Sequence, residues 1–317
     1  IMLTTVIFIV NWIDGGARAW MLYPETELID HLMVAGDIFL MCLIICLSVK
    51  YGKVLPIILS AVQTALVLYT EFTAEVKEGP HMMVDWLTIL MCIIIAFIGG
   101  FICIYTVGYM KGYHNHHKEV KDRQPFFFSM LFLFLAAMFG LVLSQNLVWI
   151  YFFWEITSVI SFLMIGYTKT DEAVNNSFCA LWMNLLGGLG FAVAIALMAN
   201  LHGTLQLLEV VNIGALLPLM CLSLAGLTKS AQLPFSTWLL GAMVAPTPSS
   251  ALLHSATMVK AGVYLLIRIS PALEGNLVGI IVSSIGGLTF IMASMMAIAQ
   301  NDAKKVLAFS TISNLGL

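Results

Sequence analysis

The residues of this chain that could carry chemistry are ionisable side chains set in apolar sequence. Lys229, His254 and Lys260 lie within GLTKSAQLPFSTWLLGAMVAPTPSSALLHSATMVKAGVY, which covers residues 226–264. A charged lysine at the centre of a membrane helix costs about 2.5–3.5 kcal/mol on insertion scales, so such residues face bundle interiors or wet cavities and mark ion paths. The chemistry that they could perform is the uptake and release of protons.

Glu155, in the run NLVWIYFFWEITSVISFLMIGY, supplies the acidic counterpart, and we expect it to be the only acidic residue in the middle of an apolar helix. Burial disfavours a charged lysine, whereas a nearby carboxylate favours it. We therefore expect Glu155 and Lys229 to form a buried pair whose separation changes, so that Lys229 releases a proton toward His254 and Lys260. The alternative for His254 is a structural histidine bonded to neighbouring Ser or Thr.

Lys260 follows His254 by six residues, which places it on the opposite flank of a regular helix. A proton could pass between the two side chains only through a bridging water or a local distortion of that helix.

The elements that position these residues must be membrane helices. The chain has 317 residues, of which 61% are hydrophobic and 10% charged, and its mean hydropathy is +0.98. These values lie outside the range of globular proteins and predict an all-α polytopic membrane protein. Apolar runs of about 20 residues predict about eleven transmembrane helices, near residues 1–12 (truncated), 31–49, 54–70, 84–109, 125–143, 148–167, 174–199, 212–244, 249–269, 277–299 and 303–317 (truncated).

The helix near 212–244 is predicted to break between Lys229 and Pro234. Proline has no backbone N–H, and its ring clashes with the preceding turn. Broken helices beside ionisable residues are how transporters build ion sites.

The positive charges predict the orientation of the helices. The even-numbered connections hold most of the Lys and Arg residues, namely Lys50, Lys53, Lys111, Lys118, Lys121, Arg123, Lys169, Lys304 and Lys305. The odd-numbered connections hold Arg18, Lys77 and Arg268. The even connections are therefore expected to be cytoplasmic, and Arg268 is expected to extend to the membrane interface.

The remaining candidate sites are interpreted as structural. The six cysteines lie in apolar segments without CxxC spacing, which indicates small core residues. His114, His116 and His117 have no common zinc spacing, so KGYHNHHKEVKDR is expected to be a solvated cytoplasmic loop or a partner contact. With no nucleophile–base pair or cofactor loop in the sequence, we expect no catalytic residue, no cofactor and no metal in this chain, and no nucleic acid partner.

The stretch 226–264 resembles the signature of the antiporter-like, proton-conducting subunits shared by respiratory complex I, Mrp-type Na+/H+ antiporters and membrane-bound energy-converting hydrogenases. The similarity extends through most of residues 84–317. It implies five-helix units repeated with inverted topology, the second truncated here. The resulting divisions are N-terminal transmembrane helices at 1–83, a helix and charged cytoplasmic loop at 84–124, the first unit at 125–269 and the start of the second at 270–317.

Within that family, KDRQPFFF and YTKTDEAVNNSFCALWMNLLGGLGF look most like the large antiporter-like subunit of Ech-type hydrogenases, since complex I subunits tend to carry Gly-Asp where this chain has Gly187-Gly188. The resemblance implies a subunit of the cytoplasmic membrane that works with other membrane subunits and a peripheral redox arm. Electron transfer there would drive H+ or Na+ through a relay of Glu155, Lys229, His254 and Lys260. A proton-pumping complex I subunit and an Mrp antiporter subunit are the alternatives.

Overall fold

A computed structural model describes residues 1–22, 27–77, 79–118 and 120–317, and this part of the chain is almost entirely helical. The helices are α1 Met2–Asp14, α2 Glu27–Lys50, α3 Val54–Thr73, α4 Trp86–Ile94, α5 Gly100–His116, α6 Gln124–Leu143, α7 Leu147–Ile165, α8 Asp171–His202, α9 Leu207–Ile213, α10 Leu216–Lys229, α11 Thr237–Gly241, α12 Thr247–Ala251, α13 Met258–Leu273, α14 Leu277–Ile298 and α15 Ala303–Gly316.

Short non-α elements connect some of these helices. A π-helical turn, Ile95–Gly99, joins α4 to α5, and a second, Leu252–Ala256, joins α12 to α13. Two short strands, β1 Trp20–Leu22 and β2 Met82–Val84, pair antiparallel with Met21 opposite Met83.

Among the described residues, eight helical segments are long and apolar enough to cross a membrane. They confirm the predicted polytopic α-helical class. The predicted spans at 1–12, 212–244 and 303–317 correspond to shorter helices, of which the middle one is divided between α9, α10 and α11.

Polar side chains at the helix starts show why the elements begin where they do. Thr170 caps α8 by accepting a hydrogen bond from the Ala173 N–H, and Asp171 and Glu172 fill the first turn of that helix. Asn146 caps α7 in the same way. Such caps satisfy backbone N–H groups that have no partner within the helix.

Helix α8 is the central element of the bundle, in contact with α3, α7 and α10. A β carbon at Gly187 would overlap the Thr228 hydroxyl oxygen, so the approach of α10 to α8 requires glycine at this position. Small residues bring membrane helices together in this way.

Two expectations about surface and core need correction. His116 and His117 are exposed, as expected, but helix α5 continues through His116 and the His114 side chain is half-buried, with Nε2 3.3 Å from the Tyr167 hydroxyl and 3.6 Å from Asp122 Oδ1. His114 is therefore part of a packed junction between α5 and the end of α7. Cys42 and Cys46 lie on the exposed face of α2 and are not core residues.

Candidate ion-translocation site

Lys229 is the last residue of α10 and is fully buried. Its ammonium group donates hydrogen bonds to the Trp154 carbonyl oxygen at 3.0 Å and to Ser158 Oγ at 2.8 Å, both on α7. The Nζ atom also lies 4.9 Å from the centre of the Trp154 ring, within cation–π range. A positive charge at a helix C-terminus is stabilised by the helix dipole. Lys229 is thus held by neutral oxygens and an aromatic face.

Glu155 lies on α7 and is only 3% exposed. Its Oε2 accepts a hydrogen bond of 3.0 Å from Gln63 Nε2 on α3. Among the described residues, neither Glu155 Oε1 nor Gln63 Oε1 has a hydrogen-bond partner. A β carbon at Gly188 would overlap Glu155 Oε1 and lie 2.8 Å from Gln63 Oε1, so both oxygens converge on the backbone of α8.

The structure brings Glu155 and Lys229 to the same turn of α7 but does not join them. The Lys229 amine binds the carbonyl of Trp154, the residue before Glu155, while the carboxylate turns toward Gln63. Within the described part of the chain, no ion pair links the two side chains. The arrangement corresponds to the separated form of the expected pair.

The helix break follows Lys229 directly, as the sequence predicts. Residues 230–236 are not helical, and α11 begins at Thr237. The Leu233 N–H donates to Thr289 Oγ1 on α14 at 3.1 Å, and Gln232 Nε2 donates to the carbonyl oxygen of residue 315 on α15 at 2.8 Å. The Leu233 bond gives a partner to backbone freed at membrane depth, which lipid cannot supply, and the Gln232 bond ties a side chain of the break to α15.

His254 lies in the second π turn, 8% exposed, with neither ring nitrogen hydrogen-bonded to a described residue. The expected alternative, a histidine tied to Ser or Thr, is therefore not observed in this part of the chain. Lys260 is half-buried on α13. The π turn and the φ of −144° at Thr257 distort the helix between His254 and Lys260, so the separation expected of a regular helix does not apply.

Arg268, which was expected to extend to the membrane interface, is bonded to Asp85 and Thr88 at the start of α4. Its guanidinium binds both oxygens of Asp85, with Nη2 at 2.8 Å from Oδ1, and donates to Thr88 Oγ1 at 2.7 Å and to the Tyr264 hydroxyl at 3.0 Å. Partial burial alone would raise the pKa of Asp85, but the hydrogen bonds and charge of Arg268 outweigh it and hold the pKa below its usual value. Arg268 therefore fixes α13 to the start of α4.

Two polar residues near Glu155 are absent from the candidates that the sequence suggests. Gln63 could not be identified, because nothing in the local sequence marks it as the partner of a residue 92 positions away. Asp37 could have been identified from the sequence, because it lies inside the predicted span 31–49. In the structure it is 6% exposed on α2. Glu155 is thus not the only acidic residue in the middle of an apolar helix.

The fold and the buried ionisable groups define a polytopic membrane protein with a broken helix beside a lysine. Residues 144–317 match the family described as NADH:quinone oxidoreductase/Mrp antiporter, TM, and residues 78–118 match NADH-Ubiquinone oxidoreductase (complex I), chain 5 N-terminus. The chain therefore belongs to the family of transmembrane subunits shared by NADH:quinone oxidoreductases and Mrp antiporters.

Similar proteins include a relative found by its sequence and a chain of a solved structure. The antiporter subunit mnhA2 of Staphylococcus aureus is 39% identical over 246 residues, which are 74% of this chain and 30% of that protein. The Mrp complex from Dietzia sp. DQ12-45-1b contains a chain with 28% identity and a TM-score of 0.66, covering 90% of this chain and 33% of that one. The chain thus spans about a third of the length of these relatives.

A more distant likeness concerns the fold alone. A chain of the membrane-bound sulfane sulfur reductase, an archaeal respiratory membrane complex, is 18% identical with a TM-score of 0.68. The match covers 91% of this chain and 63% of that one.

Proposed function

We propose that this chain is a proton-translocating subunit of an Mrp-type antiporter assembly in the cytoplasmic membrane, where it exchanges H+ for Na+ together with other membrane subunits. The observation that carries the proposal is the fully buried Lys229 amine, held by Trp154 O and Ser158 Oγ within one turn of the Glu155 carboxylate. Lys229 has neutral partners in this arrangement, and it would have a carboxylate partner if Glu155 turned toward it. Its protonation can therefore follow the position of Glu155.

In the proposed cycle Glu155 approaches Lys229 and favours its protonated form. When Glu155 returns to Gln63, the arrangement that the structure records, the ammonium group loses its counter-charge and releases a proton toward His254 and Lys260. His254 suits this role because neither ring nitrogen is occupied by a described partner. Imidazole also exchanges protons readily near neutral pH.

The choice of an Mrp assembly follows from the relatives with the higher identities, an antiporter subunit and an Mrp complex. Gly188 favours this choice over a complex I subunit. An aspartate there would have to displace Glu155 Oε1, because a β carbon at that position would lie 2.4 Å from this atom.

The hydrogenase assembly with a peripheral redox arm stays a second prediction, supported by the resemblance of residues 121–128 and 167–191. Purification by a tag on this chain separates the two assemblies, because the co-purifying subunits would be either small membrane proteins or redox proteins. Recovery of the chain as a monomer without other subunits would contradict both.

The test of translocation uses the purified assembly in sealed vesicles with a pH-sensitive dye inside. A Na+ gradient should drive proton movement in the wild type, and Lys229→Met should abolish it. Lys305→Met is the matched control, because Lys305 is exposed at the start of α15. Undiminished proton movement in Lys229→Met would refute the proposed function.

A further inference from the structure

Asp37 is a buried carboxyl group that the proposed relay does not use. It lies near the middle of α2, and among the described residues it forms no hydrogen bond and no ion pair. A carboxylate in such surroundings is costly unless it takes up a proton or binds a cation. Ionisable residues at membrane depth are in general functional.

Helix α2 packs directly against the helix that carries Glu155. A β carbon at Gly36 would lie 2.5 Å from the Phe152 ring, and Asp30 Oδ1 accepts a hydrogen bond of 2.8 Å from Trp149 Nε1. Asp37 follows Gly36, so this contact places it beside the turn of α7 that runs from Phe152 to Glu155.

The acidic residues on α2, α3 and α7 form a series of increasing burial. Glu71, near the end of α3, is exposed, Asp30 is half-buried, and Asp37 and Glu155 are buried. Asp30 and Asp37 are seven residues apart, so they share one face of α2 and are separated by about 10 Å along its axis. The exposed end of the series faces the odd-numbered connections, the side opposite the cytoplasmic loops.

The buried end of the series contains acceptors without donors. Glu155 Oε1 and Gln63 Oε1 are unpartnered among the described residues, and both residues are almost fully buried. Buried polar atoms without partners are rare in folded proteins and call for an explanation by water, ion or function. Two converging oxygens of this kind form a place for a hydrogen-bond donor or a cation.

We propose that Asp37 is a proton carrier in an access path to Glu155. The path begins at the membrane face that carries the odd-numbered connections and passes Asp30. The path rests on the proposed function, to which it adds the route by which protons are exchanged between Glu155 and the outer side. In each transfer the O–H bond at Asp37 breaks and a new one forms at the Glu155 carboxylate. The Asp37 carboxylate then takes up the next proton from the outer side.

Transport by the reconstituted assembly tests the path. Asp37→Asn keeps the shape of the side chain but carries no exchangeable acid, so the proton flux should fall by on the order of 10-fold or more, as for the loss of a general acid–base group. Asp37→Glu keeps the acid and should retain a larger flux than Asp37→Asn. Glu209→Gln is the control, an exposed carboxyl on the same membrane face.

The outcomes separate this path from the function on which it rests. If Asp37→Asn transports within about twofold of the wild type while Lys229→Met is inactive, the path is refuted and the proposed function stands. If Lys229→Met also transports, the proposed function fails.

A second measurement needs no variant and so remains decisive if Asp37→Asn does not assemble. An apolar carbodiimide modifies carboxyl groups that are protonated in apolar surroundings, and mass spectrometry of the wild-type assembly at neutral pH should find it on Asp37 but not on Glu209. A recovered, unmodified Asp37 peptide would overturn the proposal. If Na+ at constant pH protected Asp37 from modification by the carbodiimide, Asp37 would be a sodium ligand. That result would overturn its role as a proton carrier.

Discussion

The Lys229 amine donates a hydrogen bond of 3.0 Å to the carbonyl oxygen of Trp154, the residue that directly precedes Glu155. The lysine is therefore anchored to the backbone of the helix that carries the acid, while the acid itself binds Gln63 on a third helix. Glu155 could therefore approach Lys229 by a rotation of its own side chain, without movement of the axis of α7 or α10. Proton release from Lys229 would then depend on this local geometry.

Removal of either member of the pair should stop translocation while the assembly remains intact. Glu155→Gln removes the carboxylate that favours protonated Lys229, and Lys229→Met removes the carrier. Because the two residues act as one unit, the double variant should be little worse than either single variant. Proton flux in vesicles measures all three, and additive losses would show that the residues work independently.

Lys229→Arg should also be inactive, because arginine stays charged at any accessible pH and cannot release a proton. The same flux measurement applies, with intact assembly checked by size-exclusion chromatography. Transport at near the wild-type stoichiometry would make Lys229 an electrostatic anchor and not a proton carrier.

Gly188→Ala should disturb Glu155 with little effect on folding. The added methyl group would lie 2.8 Å from Gln63 Oε1 and closer still to Glu155 Oε1. Since these are the ends of flexible side chains, they can move aside, so thermal stability should be nearly kept while proton flux falls.

Gly287→Ala is the matched control for Gly188→Ala, because a methyl group at this position of α14 would meet no neighbouring side chain within 4 Å. Both substitutions gain a similar helix propensity, about 1 kcal/mol. Equal flux in the two variants would show that the position of the Glu155 carboxylate does not matter.

His254→Leu should reduce proton flux without lowering the thermal stability of the assembly. No described residue bonds either ring nitrogen, so an apolar replacement breaks no hydrogen bond and removes an unpaired polar group. Tyr264→Phe is the contrasting variant, because it loses a buried 2.8 Å hydrogen bond to the Val142 carbonyl oxygen and the 3.0 Å bond from Arg268 Nε, and should cost at least about 1.5 kcal/mol. Thermal unfolding in detergent compares them, and a larger loss in His254→Leu would identify a structural histidine.

Asp85 and Arg268 should stabilise the fold together and in a pH-dependent way. The pKa of Asp85 is lower in the folded protein than in the unfolded chain, so its contribution is present above the ordinary aspartate value of about 3.9 and is lost as the pH falls through the lower folded value. Asp85→Asn should therefore lower the melting temperature at neutral pH, and the difference from wild type should shrink in acid. A constant difference across this range would place the effect in packing and not in charge.

A double-variant cycle isolates the Asp85–Arg268 contact itself. Hydrogen bonds to charged groups contribute about 1.5–3 kcal/mol each, so Arg268→Gln and Asp85→Asn should show a coupling energy of at least that order. The single variants must be measured in the same detergent as the double variant. Independent, additive losses would contradict a direct stabilising contact.

The sequence was sufficient to predict the polytopic α-helical class and the break, because both depend on local properties. Apolar runs determine which segments can lie in lipid, and Pro234 cannot continue a helix. The burial of Lys229 and Glu155 followed from the same apolar context. The position of His254 in a π turn has no comparable local signal, since the residues around it do not differ from those of an ordinary helix.

Contacts between distant segments could not be predicted in the same way. Arg268 and Asp85 are 183 residues apart, and only the packing of α13 against α4 shows that they meet. An arginine near the end of a membrane helix most often extends to the interface, but its local sequence does not reveal that Arg268 has a partner on another helix. Asp37 is different, because a systematic search of each predicted span for acidic residues would have found it.

The hydrogen bonds of the segment after Lys229 also tie α10 to α14 and α15. Leu233 and Gln232 are bonded to α14 and α15, only a few residues beyond the lysine. Any tilt of α14 or α15 must either rupture these bonds or pull on the chain end that holds the ammonium group. Residues 230–236 therefore couple the position of Lys229 mechanically to that of α14 and α15.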